Sequence, residues 1–506
     1  MSRINTNVQS LLAQRVLGLN NSNLSQSLER LSTGTRINRG KDDPAGLIAS
    51  ENLRAEATAL TSAIGNAERA DQVVNIAEGG LQEVSNLLNE LQGLLTTTAN
   101  QAGLSEQEKS ANQQQVDSIL QTIDRIASST SFQGTKLLNG SFDYRAQNVA
   151  GEVTDFKVNG AKFESETLDV DVLVTQSAQQ AGFFLSTTGS LDLNGTDDFR
   201  IEVAGRLGSR EFSFSSGTTN AQIAEAINNF SEVTGVSATV SGTGIRVASE
   251  GFGSKEFVSV KVLEDAGATG TGIGIYNLEG DNFAAADTTI ESTFADASNE
   301  VRDEGQNIAG TINGVRAVAD GKDLRINTDF LDIALTLNTS SSQTLGAVEA
   351  SSGQPTLQIT GGGADFQLAG QVDIAGKVSL GISNVAVRNL GTSDKGFLGD
   401  LASGKSLNLA DADDLSGAQD VVAEAIEQVS SLRGRLGAFQ KNTVGATIRS
   451  LSISLENTRA ADSVIRDTDF AAETAALTRS QILVSSSTNI LSLANSQPQS
   501  VLQLLG

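Results

Sequence analysis

Few residues in this chain could do chemistry, and the best of them lack the frame they would need. Gly399-Asp-Leu-Ala-Ser-Gly404-Lys405-Ser406 satisfies G-x-x-x-x-G-K-[ST], the spacing with which backbone amides cradle phosphates while the Lys and Ser reach the terminal phosphates and Mg2+. Such a loop must follow a buried strand and open a helix whose first amides face the anion. Here Asn389–Gly396 reads as loop, and the acidic stretch Leu407–Asp414 delays the next helix to about Ser416. Nor does any apolar strand end in a Mg2+-binding Asp, so nucleotide binding through Gly399–Ser406 stays an alternative without its scaffold. Asp411, Asp413 and Asp414 lack EF-hand spacing and its terminal Glu; acids there suit the N-terminus of the following helix. Gly270-Thr-Gly-Ile-Gly274 has no strand-to-helix frame and reads as a flexible turn. The chain contains no His and no Cys, which removes Ser-His-Asp and Cys-His nucleophiles and the Cys/His zinc ligand sets. The expectation is a non-enzyme with no cofactor and no metal. Ser and Thr are abundant in the middle of the chain and admit O-glycosylation without marking any one residue.

The elements that would have to position a site argue for structure instead. The 506 residues carry 35 basic and 60 acidic side chains, a formal charge of −25, which disfavours nucleic acid and anionic membranes as partners. No apolar run approaches the roughly 18 residues of a membrane span. The opening MSRINTNVQS also lacks the apolar core of a signal peptide, so any export is expected to use a route without a cleavable signal. Residues 141–404 hold −19 of the −25 charges, 16 of the 19 Phe and 34 of the 50 Gly. That middle reads as β-rich, with small α+β modules: alternation at Phe199, Ile201 and Val203, then Phe212 and Phe214, a short helix near Ile223 and Ile227, and further strands at Val236–Val240, Ile245–Val247 and Phe257–Val262. A second module runs near GTINGVRAVADGKDLRIN.

Both ends are helical instead. Val74, Ala77, Leu81, Val84, Leu88, Leu91 and Leu95 alternate steps of three and four, a heptad seam. Val116, Ile119, Ile123 and Ile126 resume it after a polar break near Gln101–Ser105. Ala418, Val422, Ala425, Val429, Leu432, Leu436 and Phe439 form the C-terminal counterpart, and Val444, Ile448, Leu451 and Leu455 follow on. The expected fold is mainly α with a β-rich insert: an antiparallel coiled-coil-like rod made by both chain ends. The outermost stripes are Ile4, Val8, Leu11, Leu12, Val16, Leu19, Leu24, Leu28 and Leu31 at one end, and Leu477, Leu483, Ile490, Leu493, Val501, Leu504 and Leu505 at the other. They are interleaved with Asn, Gln and Ser rather than charge, and two helices cannot bury that much apolar surface alone. They are expected to order when many copies assemble.

Two long motifs then carry a resemblance. Leu28-Glu-Arg-Leu-Ser-Thr-Gly-Thr-Arg-Ile-Asn38, Lys41-Asp-Asp-Pro-Ala-Gly46 and Leu53-Arg54 resemble bacterial flagellin, and Glu456-Asn-Thr-Arg-Ala-Ala-Asp-Ser-Val-Ile-Arg-Asp-Thr-Asp-Phe-Ala-Ala-Glu473 resembles the family's other end. The resemblance is close over 1–140 and 405–506 and loose between them. It implies a subunit that self-assembles into the helical flagellar filament used for swimming, exported unfolded by the flagellar type III pathway to an extracellular position. The implied partners are further copies of itself, an export chaperone on the C-terminal tail, a filament cap and hook-associated proteins. The implied layout is an inner tail layer at 1–44 and 460–506, disordered in the monomer, a rod at 45–144 and 362–459 with a β-hairpin near 365–392, and an outer insert at 145–361. Arg30, Gly34, Asn38, Asp42, Asp43 and Pro44 would form a spoke between tail and rod, with Asp467, Asp469 and Phe470 opposite; Asp43 is placed to cap a helix restarting at Pro44. The family's receptor-facing rod surface matches Asn89, Glu90, Leu94 and Gln115. Glu90 stands where potent members carry Arg and Gln115 where they often carry Glu, so recognition by the host Toll-like receptor is expected to be weak. The hook–filament junction protein is the nearest rival within the family. Ala45–Arg54 and the intact ENTRAADSVIRDTDF favour flagellin over it.

Overall fold

The structure is a computed structural model. It describes residues 6–100, 103–163, 167–187, 189–193, 198–268, 272–279, 285–410 and 415–505, with side chains described up to 497. Ile4, Gly270, Asp411, Asp413, Asp414 and the side chains of Val501, Leu504 and Leu505 lie outside what is described. The helices are α1 (Val8–Thr33), α2 (Pro44–Thr98), α3 (Glu106–Ser129), α4 (Asn220–Asn228), α5 (Ser231–Thr234), α6 (Thr339–Gln343), α7 (Ser416–Ala438), α8 (Gly445–Arg466) and α9 (Phe470–Leu505).

Their ends follow from local chemistry. Asn7 caps α1, accepting from the Ser10 amide at 3.0 Å, and Gly34 ends it in the left-handed region at φ 75°, where a Cβ would be strained. Asp43 accepts from the Gly46 amide at 2.9 Å as α2 restarts at Pro44. Ser105 and Glu108 form a reciprocal capping box on α3. Helix α7 begins at Ser416, as the sequence implies.

The chain folds as two compact units. The first comprises Met1–Gln72, Phe366–Lys377 and Ala438–Gly506, the second Val73–Asp365 and Val378–Gly437. In the second, Val74, Ala77, Leu81, Val84, Leu88, Leu91 and Leu95 are all buried, as are Val116, Ile119 and Ile123 of α3 and Ala418, Val422, Ala425, Val429, Leu432 and Leu436 of α7. The predicted seam positions of α2, α3 and α7 are thus buried, apart from the half-buried Ile126. Two β modules belong to the same unit. One pairs strands in the order Val236–Ser241, Gly244–Ser249, Gly182–Ser186, Gly274–Leu278, Ala286–Ser292, with a second sheet ordered Val301–Glu304, Phe257–Glu264, Phe199–Gly205, Ser209–Phe214. The two sheets and α4 bury Phe183, Phe199, Ile201, Val203, Ile227, Ile245 and Val260 together. The other module has a core of Val170, Val172, Leu324, Ile333, Leu335 and Leu357. The hairpin strands are Ala364–Gln367 and Lys377–Leu380; Ile382 is buried in coil and Val387 lies in a one-turn 3-10 helix. The connection Phe439–Val444 is a π-helix, which the sequence reading does not anticipate.

Candidate functional site: the paired terminal helices

Helices α1 and α9 lie against each other in the first unit, and the residues that meet are small and polar. Ser10, Ala13 and Ser27 of α1 and Ser480, Ser487 and Ala494 of α9 are buried. The Asn7 side-chain amide donates to the Ala494 carbonyl at 2.8 Å, the Ser10 hydroxyl to Asn495 Oδ1 at 2.7 Å, and the Asn20 amide to the Ser487 hydroxyl at 2.8 Å. The large apolar side chains point elsewhere. Val8, Leu11, Leu12 and Leu19 are 64, 57, 51 and 61% exposed, and Ile482, Ile490 and Leu493 are 64, 56 and 64% exposed. Val16, Leu28 and Leu483 are exposed as well, while Leu31 is half-buried. An exposed apolar stripe of this length is the kind of surface on which proteins interact.

Between α1 and α2 the chain is pinned to the start of α9. Thr35 bridges Asp467, the Arg36 amide donates to the Arg466 carbonyl at 2.6 Å, and the Thr468 amide donates to the Gly34 carbonyl at 3.0 Å. The Arg39 and Asn38 amides donate to Asp42 Oδ2 at 2.9 and 3.2 Å; that pair, Arg39 first, holds the Asp42 carboxyl below its usual range. Asp469 caps α9 through the Ala471 and Ala472 amides, and Asp467 accepts from the Ser463 hydroxyl. The ion pairs here are Arg39–Glu29 at 2.9 Å and Arg30–Glu473 and Arg466–Glu51, both at 3.6 Å. Phe470 is exposed, one residue past the Asp469 cap. Every spoke residue named from the sequence sits in or beside this junction.

In the second unit Asn89, Glu90 and Gln115 are exposed and Leu94 is half-buried. The Gly399–Ser406 segment is no phosphate loop. Leu398–Leu401 is a 3-10 turn, and Asp117 accepts both the Ser403 amide, at 2.9 Å, and its hydroxyl. Sequence reading also missed Gln113. This residue of α3 is 4% exposed. Its amide nitrogen donates to the Leu401 carbonyl at 2.9 Å and to Asp117 at 3.0 Å, and its oxygen accepts from the Leu409 amide at 2.7 Å. It fastens the run into α7. One Gln of four within EQEKSANQQQVD carries no signal that would single it out.

Asp143 and Asp303 are among the partly buried carboxylates of the second unit. Burial pushes Asp143 and Asp303 above the ordinary value of 3.8, against the hydrogen bonds they accept from the Asn384 and Gly182 amides among others. The folded chain then holds these protons more tightly than the unfolded one. Their contribution is full below 3.8 and is lost as pH rises through the raised folded values. The double variant Asp143→Asn/Asp303→Asn is therefore expected to lose part of the parent's change in stability between pH 4 and 6.5, in the sense of a smaller gain in acid. Melting curves of both proteins at the two pH values check this.

No described helix is long and apolar enough to cross a membrane. Among the described residues no group of three or more acidic side chains is arranged to hold a metal ion. Known proteins give this surface a context. The N-terminal helical region of bacterial flagellin matches residues 4–143, and its C-terminal helical region matches residues 419–505. The chain belongs to the bacterial flagellin family. The flagellin hook IN motif matches residues 190–250, within the first β module. Flagellin B of Helicobacter pylori strain J99 is 28% identical over 548 residues, and the B-type flagellin of Pseudomonas aeruginosa is 29% identical over 531, each alignment covering 99% of both chains. The solved FliC of Burkholderia pseudomallei is 15% identical with a TM-score of 0.23, covering 74% of this chain and 99% of that one. This flagellin is a structural protein and not an enzyme: a subunit of the bacterial flagellar filament that serves motility.

Proposed function

We propose that this flagellin polymerises through the outward apolar face of the α1–α9 pair, which packs against the same pair of neighbouring copies as the filament's inner layer. The observation that carries this is the inversion at the pair: Ser and Ala face inward while Leu11, Leu12, Leu19, Ile490 and Leu493 face out. Head-to-tail packing of one chain makes heterologous contacts that propagate a helix. On this reading residues 1–44 and 460–506 are disordered in the monomer, 45–144 and 362–459 form the rod, and 145–361 is an outer insert. Export through the flagellar type III pathway, without a cleavable signal, goes with this role. An export chaperone on the C-terminal tail, a filament cap and hook-associated proteins are the partners that go with this role. Replacing Leu11, Leu12, Ile490 and Leu493 together by Ser tests the surface, with loss of sedimentable filaments expected and normal filaments refuting it.

The same reading includes weak activation of the host Toll-like receptor. Asn89 and Glu90 are exposed on α2 and Gln115 on α3, so all three are free to meet a partner. An acidic side chain where a basic one is expected reverses a charge contact, and like charges across an interface cost several kcal/mol. Glu90→Arg is expected to raise receptor-reporter signalling by monomers at least tenfold. Strong signalling by the parent with no gain on substitution would refute it.

A further inference from the structure

The C-terminal seam contains one irregular step. Ala418, Val422, Ala425, Val429, Leu432, Leu436 and Phe439 alternate fours and threes, and Val444, Ile448, Leu451, Leu455, Thr458 and Asp462 do so again, but Phe439 to Val444 is a step of five. One extra residue rotates everything beyond it by about 100° in an ordinary α-helix, which would carry the second half of the seam off its face. The structure absorbs that residue in the π-helix Phe439–Val444. Phe439 and Val444 are both buried, and Ile448, Leu451 and Leu455 remain half-buried among exposed neighbours.

Glycines surround this turn. Gly434 and Gly437 precede it and Gly445 follows. A Cβ at Gly434 or Gly437 would meet nothing within 4 Å, so packing does not require either glycine. Both weaken an exposed helix relative to Ala. A π-turn and glycines without a steric reason thus coincide within twelve residues.

We propose that Gly434–Gly445 is a mechanical joint of the filament subunit, the point at which its C-terminal helix unwinds and bends first when the filament is flexed. Mid-helix π-turns recur at functional sites and kinks, and the lowest-stability segment of a fold opens first. Hydrogen exchange on filaments of the full-length protein tests this. Amides 439–446 are expected to exchange at least tenfold faster than those of 424–432 and 450–458. In Gly434→Ala/Gly437→Ala, whose added methyls enter open space, that exchange slows about thirtyfold, and thermal bending of fluorescently labelled filaments decreases. Equal protection of 439–446 and its flanks in the parent overturns the proposal, as does unchanged bending in the double variant.

Discussion

Removing Val501–Gly506 abolishes polymerisation while leaving the second compact unit folded: that is the expected result of the smallest useful truncation. Helix α9 runs to Leu505, and the deletion takes Val501, Leu504 and Leu505 from the apolar stripe that Leu483, Ile490 and Leu493 begin. Each such side chain contributes about 1.5–3 kcal/mol when fully buried, and a helical polymer repeats the loss at every subunit. The core of the second unit draws on no residue beyond Leu436, so its melting transition is expected not to move. Sedimentation after nucleation with filament fragments gives the assembly readout and calorimetry the folding one. Normal filaments from the truncated chain would contradict the inner-layer assignment, since the stripe would then be dispensable.

Gln113→Ala is expected to produce the largest loss of stability from a single exposed-looking polar residue in the sequence. The substitution leaves the Leu401 carbonyl and the Leu409 amide without their partner and withdraws the donor from Asp117. An orphaned buried backbone group costs about 1–3 kcal/mol, so a loss of about 2–4 kcal/mol is expected, seen as a lower unfolding midpoint of the second unit. Gln113→Glu keeps the size and one acceptor but loses the donor, and it should be no better than Ala. A midpoint within 1 °C of the parent for both variants would show that the run 401–409 is held by Asp117 and Ser403 alone.

The contrast between these two predictions also marks what the sequence discloses. Heptad periodicity locates α2, α3 and α7 because burial imposes the period on many positions at once: all seven seam residues from Val74 to Leu95 are buried. Helix ends are legible at Asp43-Pro44 and Ser105-Glu108, where one side chain answers one orphaned amide. The step of five from Phe439 to Val444 is equally present in the residues. It goes unread when the two stretches are taken as separate runs, and the π-turn is where the structure takes up the extra residue. Gln113 is illegible because its partners, Leu401 and Leu409, lie 288 and 296 residues away and are backbone atoms. The inner tails are a different case. Their stripe shows that apolar area exists, but which face the helices turn to each other is decided by small residues. Ser10, Ala13, Ser480 and Ser487 allow close approach and hydrogen bonding, so the leucines stay at the surface. The ion pairs at the spoke follow the same logic of position over strength. Arg30–Glu473 and Arg466–Glu51 at 3.6 Å are partly exposed and individually worth little, whereas the backbone pairing through Arg36 and Thr468 fixes the junction.

The central claim is that the outward faces of α1 and α9 are covered by other subunits and are ordered by them. Hydrogen exchange resolved to peptides in 8–33 and 470–497, measured on monomer and on assembled filament of the same protein, tests it most directly. Exchange near the unfolded rate in the monomer is predicted, with protection rising by several orders of magnitude in the filament, while 81–95 and 421–436 stay protected in both. Equal protection of the terminal helices in monomer and filament would contradict the claim.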